Sequence, residues 1–216
     1  MDHRGASVRA LLDPWLWVLG SPPDALAAGR DVVDRYAEPQ RRYHDQRHLA
    51  EVLHALPLVA GGSDVPGPAV LAAYFHDAVY ELTPGRDERR SADLATTVLG
   101  ALGRPPAELA EVVRLVLLTV THDPAPGDGS GSLLCDADLA VLGATPERYR
   151  QYAADVREEH GHVGDPDFRR GRSAVLRTLL DRPRLFTTEA GRRLWEAPAR
   201  QNLRAELDHL GAAPPP

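Results

Sequence analysis

The amino-acid sequence predicts a single all-α domain, a helical bundle of about eight to ten helices. Apolar residues recur at helical spacing almost throughout, as in "HLAEVLHALPLV" at residues 48–59. No run is typical of a strand, since "AVLAAYFHDAVY" at residues 69–80 is too long and too rich in alanine. Stretches rich in proline and glycine separate the helical segments. These three observations together indicate the all-α class.

Apolar spacing predicts a helix in eight segments of the chain. In order these are "LLDPWLWVLG" (11–20), "HLAEVLHALPLV" (48–59), "AVLAAYFHDAVY" (69–80), "SADLATTVLGAL" (91–102), "AELAEVVRLVLLTV" (107–120), "ERYRQYAADVREEH" (147–160), "RRGRSAVLRTLL" (169–180) and "RRLWEAPARQNLRAEL" (192–207). Pro105 and Pro106 predict a break and a helix start before the fifth segment, and Pro198 predicts a kink or split in the last. Loops are predicted at 61–68, 83–88, 122–132 and 162–167, and a frayed end at 211–216.

Composition limits the classes of partner that this protein can have. The chain has 216 residues, 43% hydrophobic and 26% charged, which is typical of one globular domain. Its formal net charge is −6 with histidine neutral, so no overall basic field attracts nucleic acid. We therefore expect no DNA or RNA partner, and a phosphorylated substrate would need a local group of arginines. The oligomeric state stays open, a homodimer included.

The cysteine count and the apolar runs predict a cytoplasmic protein. Cys135 is the only cysteine, which excludes an intrachain disulfide and a cysteine-based zinc site and fits a reducing compartment. No apolar run approaches the ~20 residues of a membrane span. Asp13 and Pro14 interrupt the one stretch that could serve as a signal core. We therefore expect no association with a membrane.

Three His-Asp pairs occur in the chain, whereas its nine histidines and nineteen aspartates predict a little under one by chance. His44-Asp45 opens a helical segment, where Asp45 is typical of an N-cap or of a first-turn acid. His122-Asp123 precedes Pro124 at a helix end, where neither residue needs a function. His76-Asp77 lies in an apolar run predicted to be helical, where a buried carboxylate costs several kcal/mol without a partner. That pair therefore raises the question of a bound cation.

Other residues complete a predicted metal site. His48 lies on the apolar face of the preceding helix, and "LLCDADLAVLG" carries two further acids, Asp136 and Asp138. Helices packed side by side can direct His48, His76-Asp77 and one of these acids to one point. Two imidazoles and two carboxylates suit Mn²⁺, Fe²⁺, Co²⁺, Ni²⁺ or Zn²⁺ better than Ca²⁺, with Mg²⁺ kept as a further alternative. Such a site would leave room for water and a substrate oxygen.

The order H…HD…D, as His48…His76-Asp77…Asp138, resembles the HD-domain superfamily of metal-dependent phosphohydrolases. The matching stretches run from about residue 10 to 208 and are similar to a bacterial branch of unknown substrate. They are "RYHDQRHLAEVL", "AAYFHDAVYE", "DERRSADLA", "LLTVTH", "CDADLAVLG", "YRQYAADVREE", "GRSAVL" and "ARQNLRAEL". The chain departs from the branch at Asp87, where Asn is expected, and at His160, where Tyr is expected.

This resemblance implies one helical domain of the HD type over residues 1–216. Its metal-site core spans roughly 40–145, and C-terminal helices at 146–212 pack on that core. It also implies one divalent ion held by four side chains, of which Asp138 is favoured over Asp136 as the fourth. Asp136 would then accept a hydrogen bond from a ligating histidine or cap the next helix. A second ion is not favoured, because His122 is the only further histidine in the segment after the pair.

The implied reaction is hydrolysis of a phosphoester or phosphoanhydride of a small molecule by metal-activated water, and the expected substrate is a nucleotide. Asp77, Glu88 and His122 are the predicted catalytic residues, with Glu81 as a further candidate for proton transfer. Glu88 is equally typical of the first turn of a helix. Phosphate contacts are expected from Arg47, Arg157 and Arg172, because guanidinium groups bind phosphate in a bidentate manner. Tyr80 could stack on a base or belong to the core.

Two other functions stay open. "HDQRH" at residues 44–48 has the spacing of a zincin HExxH motif with Asp for Glu, but the shorter acid misplaces the general base. The stronger alternative is a regulatory helical domain that binds a metal and a nucleotide without turnover. The complete set of predicted ligands favours the enzyme.

Overall fold

Helices form all the regular secondary structure in residues 8–211, which are the residues described by the computed structural model. They are α1 (Val8–Leu19), α2 (Pro23–Arg35), α3 (Gln46–Val59), α4 (Gly67–Phe75), α5 (Asp87–Ala101), α6 (Pro106–Leu118), α7 (Gly129–Asp138), a 3₁₀ helix (Leu139–Gly143), α8 (Pro146–Glu159), α9 (Asp165–Asp181), α10 (Glu189–Gly191), a π-helical turn (Arg192–Glu196) and α11 (Ala197–Gly211). The predicted all-α class and single domain are confirmed. The predicted frayed end lies almost wholly outside the described residues. None of the described helices is long and apolar enough to cross a membrane.

Two clusters of buried apolar side chains form the core. The first draws on helices α1 to α7 and contains large side chains such as Trp15, Tyr74 and Phe75. The second draws on Tyr43, the 3₁₀ helix, α8, α9, α11 and the segment before α10. Trp195, in the π-helical turn, packs against both clusters. The candidate site lies where the two clusters meet.

Helix α4 is the central helix of the first cluster. Every residue from Ala69 to Phe75 is buried, because α1, α3, α5, α6 and α7 all pack against it. This complete burial explains why its sequence is apolar on all sides rather than amphipathic. The predicted helix over residues 69–80 is wrong at its C-terminal end, since α4 ends at Phe75 and His76 is its C-cap.

The helix ends there because other groups bind the backbone of the following residues. Arg41 Nη1 donates to the carbonyl oxygen of Asp77 and Arg41 Nη2 to that of Ala78, at 2.8 and 3.3 Å. The amide of Asp77 donates to Tyr36 Oη. These side chains replace the hydrogen bonds that another helical turn would make. His76 and Asp77 therefore lie at the end of a buried helix and not inside it.

The structure differs from the sequence prediction at two other boundaries. The loop predicted at 122–132 is too long, because Asp128 accepts a hydrogen bond from the amide of Gly131 and starts α7 at Gly129. The split predicted at Pro198 is absent: α10, the π-helical turn and α11 follow one another without a gap, and Pro198 lies in the first turn of α11, just after the π-helical turn. Proline has no amide hydrogen to donate to the preceding turn, which favours a local change of helix type there.

Candidate metal centre

His76 is held in one orientation at the end of α4. Its side chain is 1% exposed, and Nδ1 lies 2.8 Å from the carbonyl oxygen of Ala73. Nδ1–H donates to that carbonyl, so in the neutral ring the lone pair is on Nε2. A backbone carbonyl on the far nitrogen is the usual way in which a metal-ligating histidine is oriented.

His48 meets His76 from the neighbouring helix. It lies in the first turn of α3, where Asp45 caps the helix by accepting from the amides of Arg47 and His48. This confirms the predicted N-cap role of Asp45. The His48 side chain is buried, and its Nε2 atom lies 2.9 Å from His76 Nε2. Two ring nitrogens thus converge on one point at the end of α4.

Two carboxylates face these nitrogens. Asp138, at the end of α7, places Oδ1 3.3 Å from His48 Nε2 and 3.6 Å from His76 Nε2. Asp77 places Oδ2 3.4 and 3.1 Å from the same two atoms. Ligand atoms bound at ~2.1 Å to one ion lie roughly 3.0 to 3.4 Å apart at right-angled or tetrahedral angles. The observed spacing therefore fits a divalent ion between these side chains, and His48, His76 and Asp138 form a group able to hold one.

The charges in this cluster depend on one another. Burial alone would raise the pKa values of Asp77 and Asp138, but the neighbouring histidines hold both well below the usual range. Burial lowers the pKa of His48, whereas hydrogen bonds with Asp138 and Asp77 raise it to about 9. The two carboxylates thus require positive charge beside them, which a cation supplies as well as protons do.

Asp136 has a different role from those predicted for it. Its Oδ1 atom accepts from the amide of Thr187 at 2.8 Å, and its Oδ2 atom accepts from the amide and hydroxyl of Thr188 at 2.8 and 2.7 Å. Asp136 therefore fixes the segment that leads into α10. It does not cap the 3₁₀ helix that follows α7. The ideal Cβ position on Gly191 is 2.5 Å from Asp136 Oδ2, so only glycine fits there without a shift. Asp138, rather than Asp136, lies beside the histidines.

A cavity of about 300 Å³ opens beside the metal centre. Its lining residues are Tyr43, His44, Asp77, Tyr80, Leu82, Thr83, Pro84, Glu88, Thr119, His122, Asp138, Leu139, Val141, Leu142, Tyr152 and His160. The predicted catalytic residues Asp77, Glu88 and His122 are all at this cavity. Leu82 and His122 are the non-glycine residues with positive φ in the described chain, at 59° and 48°. Backbone in this sparsely populated region tends to occur at functional sites.

His122 and Glu88 both make hydrogen bonds within the protein. His122 Nε2 lies 2.7 Å from Asp138 Oδ2, so the histidine orients this carboxylate. Glu88 accepts from the amide of Gly85 in the first turn of α5, and it still lines the cavity. Glu81 is 52% exposed and pairs with Arg90, and it is not among the lining residues.

The three arginines predicted to bind phosphate lie elsewhere. Arg47 pairs with Asp155, Arg157 pairs with Asp165, and Arg172 pairs with Glu206. None of the three lines the cavity, so the structure does not place these arginines at the site. Each of these guanidinium groups is paired with a carboxylate of the protein instead of facing the cavity.

Of the two positions that depart from the pattern the sequence resembles, His160 lines the cavity and Asp87 holds a loop in its wall. Asp87 is buried and accepts from the amides of Glu81 and Thr83, which fixes the loop that contributes Leu82 and Thr83 to the wall. His160 lines the cavity itself, with Nδ1 3.0 Å from the carbonyl oxygen of Val156. Neither residue is in the cluster around His48.

Glu159 is a buried acid at this site that the sequence interpretation missed. It lies on α8, its carboxylate is 1% exposed, and Oε2 is 2.7 Å from His44 Nδ1. The sequence carries a signal for it, because Glu159 follows Tyr152 and Val156 along the buried face of α8. An acid on an apolar helix face needs a partner, just as Asp77 does.

The same contact bears on the zincin hypothesis. A zincin motif requires both histidines on one helix, but His44 precedes α3, which starts at Gln46. His44 binds Glu159, while Asp45 caps the helix. The zincin arrangement is therefore absent.

Comparison of the chain with protein-family models, with curated proteins and with solved structures gave no significant match. The similarity to HD phosphohydrolases accordingly rests on the sequence stretches quoted above. What the structure shows is an all-helical protein with a His48, His76 and Asp138 group able to hold a metal ion.

Proposed function

We propose that this protein is a metal-dependent phosphohydrolase of the HD type. The observation that carries the proposal is the convergence of His48, His76 and Asp138 beside the cavity, with Asp77 Oδ2 within 3.4 Å of both ring nitrogens. An N- and O-donor set of this kind fits Mn²⁺, Fe²⁺, Co²⁺, Ni²⁺ or Zn²⁺, and Mg²⁺ less well. The cavity gives a small substrate access to that point.

A divalent ion bound there would supply Lewis acidity and lower the pKa of a bound water. The protein's own residues would orient the reactants. Asp138 is oriented by His122, and Glu88 lies on the cavity wall, where it can hydrogen-bond water or the leaving group. Leu82 and His122, with positive φ, both line this cavity, and backbone in that region tends to occur at functional sites, which supports the assignment.

The lining favours a small phosphorylated substrate with an apolar or aromatic portion, such as a nucleotide. Tyr43 and Tyr152 form an aromatic part of the wall, with ring centres 4.6 Å apart. Tyr80 is less available for base stacking, since its ring contacts the ring of His44 and the Arg41 guanidinium. No arginine lines the cavity among the described residues, so we infer that the ion neutralises most of the phosphate charge.

The test is a phosphate-release assay with defined metal content. The purified protein would be treated with chelator and reconstituted separately with Mn²⁺, Co²⁺, Ni²⁺, Zn²⁺ and Mg²⁺. It would then be offered nucleoside mono-, di- and triphosphates and simple phosphoesters. We expect release of phosphate or pyrophosphate that requires the metal and is lost in the His48→Ala variant. Metal and nucleotide binding without any release would contradict the proposal and identify a regulatory binding domain instead.

A further inference from the structure

The carboxylate of Glu159 has an unusually complete set of hydrogen bonds for a surface helix. Oε1 accepts from the amides of Arg42, Tyr43 and His44 at 2.8, 2.9 and 3.0 Å. Oε2 accepts from Tyr80 Oη at 3.0 Å and from His44 Nδ1–H at 2.7 Å. Five donors from two segments of the chain, residues 42–44 and Tyr80, thus surround one buried acid.

This environment keeps Glu159 ionised. Burial alone would raise its pKa, but the hydrogen bond from His44, the charge of that ring and the backbone amides lower it to about 2. The acceptor on Nδ1 fixes the rotation of the His44 ring, and a histidine that donates from both nitrogens can bind an anion at each edge of the ring. Glu159 is therefore suited to position His44.

The other edge of the His44 ring faces the cavity. The side chain is 22% exposed and lines the cavity wall, while Nδ1 is bound to Glu159. Within residues 8–211, no protein atom forms a hydrogen bond with His44 Nε2. This nitrogen is not fully buried either, so it can bind a molecule in the cavity. The ring centres of His44 and His48 are 5.6 Å apart, which places His44 close to the candidate metal centre.

His44 differs from the other polar groups on the wall. His122 Nε2 is engaged by Asp138, and His160 donates to a neutral carbonyl rather than to an acid. No arginine is available on the wall, since those predicted for phosphate are paired with carboxylates elsewhere. His44, backed by Glu159, is the lining group best prepared to donate a charge-assisted hydrogen bond to an anion.

We propose that His44 binds the phosphoryl group of the substrate, with Nε2–H donating to a phosphoryl oxygen, and that Glu159 is the residue that positions it. The ligand class is an anionic phosphate or phosphoester held between His44 and the ion. The inference rests on the proposed function for the identity of the site, but phosphate binding can be measured without turnover.

The experiment measures binding of inorganic phosphate to the Mn²⁺-loaded full chain by calorimetry. His44→Phe keeps a ring against Tyr80 but removes both nitrogens, and His44→Gln keeps an N–H donor. His54→Phe is the matched control, because His54 is an exposed histidine on α3. Mn²⁺ affinity and thermal unfolding are measured for every variant, so that loss of the fold or the metal is recognised.

We expect His44→Phe to weaken phosphate binding roughly tenfold or more, as loss of a charge-assisted hydrogen bond does. His44→Gln should recover part of the loss, and the control should bind as the unmodified protein. Glu159→Gln should weaken binding too, and combining it with His44→Phe should add little, because the two residues act together. Mn²⁺ affinity should stay unchanged in all variants that fold.

Three results would overturn the inference: unchanged phosphate affinity in His44→Phe, loss of Mn²⁺ in that variant, or no phosphate binding by the Mn²⁺-loaded protein. The proposed function is judged separately by turnover. Turnover with a Michaelis constant independent of His44 would remove the inference and leave the function. Phosphate binding that depends on His44, without turnover of any substrate, would support the inference and contradict the proposed function.

Discussion

Arg41 Nη1 donates a hydrogen bond of 2.8 Å to the backbone carbonyl oxygen of Asp77. The same nitrogen donates to the carbonyl oxygen of His44 at 2.9 Å. One buried guanidinium therefore joins the end of α4, which carries two of the candidate ligands, to the segment that leads into α3 and His48. Lysine cannot replace this planar set of donors, because its ammonium group is a single point of charge.

We accordingly expect Arg41→Lys to weaken metal binding by tenfold or more and to lower the free energy of unfolding by about 1–3 kcal/mol, since buried carbonyls lose their donors. Arg42→Lys is the control, because the Arg42 side chain is 41% exposed. Calorimetric titration with Mn²⁺ and urea unfolding would measure both effects. Unchanged metal affinity in a folded Arg41→Lys protein would show that Arg41 does not position the ligands.

Asp136, which is buried, and Asp138, which is partly exposed, form a matched pair of acids at the end of one helix. Asp138→Asn should abolish metal binding, because Oδ1 faces both ring nitrogens. Asp136→Asn should leave metal affinity nearly unchanged and lower the free energy of unfolding by about 1–3 kcal/mol, because Thr187 and Thr188 lose an acceptor. Metal titration and urea unfolding of both variants would show the contrast, and the reverse pattern would make Asp136 the ligand.

The Asp77→Ala variant should distinguish the effect of this side chain on folding from its effect on metal binding. Asp77→Ala should remain helical by circular dichroism, because the burial of this charge costs free energy that no core contact requires. It should lose both metal binding and any metal-dependent hydrolysis, since Asp77 Oδ2 lies 3.1 Å from His76 Nε2. Metal affinity equal to that of the unmodified protein would exclude Asp77 from the ligand set.

Metal binding should release a proton between about pH 6.5 and 9. The pKa of His48 is raised to about 9 in the metal-free cluster, and a metal binds only the neutral ring. A raised pKa also means that the stabilisation from protonated His48 is fully present below pH 6.5 and is lost as the pH rises through about 9. Calorimetry at pH 8 in two buffers of different ionisation enthalpy would measure the proton. Equal heats in both buffers would contradict the prediction.

Glu159 should contribute to stability in the opposite sense. Its pKa is lowered to about 2, so its stabilisation is present above pH 4.5 and is lost as the pH falls towards 2. The shift corresponds to about 3 kcal/mol. The difference in unfolding free energy between the unmodified protein and Glu159→Gln should therefore shrink across that interval. If this difference in unfolding free energy stays constant from pH 6 to pH 2, the charge of the Glu159 carboxylate does not stabilise the fold.

The sequence predicted the helical class and most helix positions because apolar periodicity survives in helices that have one buried face. It misplaced the end of α4, because that helix is buried all round and its apolar run continues past Phe75. Neighbouring residues within a regular helix point about 100° apart. His76 and Asp77 can both approach His48 because the helix ends there, and this ending is set by Arg41 and Tyr36, which are distant in sequence.

Partnerships between distant charges were also beyond sequence interpretation. Arg47, Arg157 and Arg172 were predicted at a phosphate because of their residue type and their local neighbours. Arg47 pairs with Asp155, which is 108 positions away in the sequence, and Arg172 pairs with Glu206, which is 34 positions away. The hydrogen bond between His44 and Glu159 joins residues that are 115 positions apart in the sequence. The packing of α8 against the segment before α3 and the packing of α9 against α11 bring these groups together.

The meeting of two apolar clusters at the cavity has a consequence for how this protein can change. The candidate metal ligands come from α3, α4 and α7, whereas Val141, Leu142 and Tyr152 on the opposite wall belong to the other cluster. Substitutions in that wall reshape the space offered to a substrate without altering the side chains around the ion. The candidate ligands and the shape of the cavity are therefore separable by mutation, so that substitutions in this wall could change which small molecule fits while the metal site stays intact.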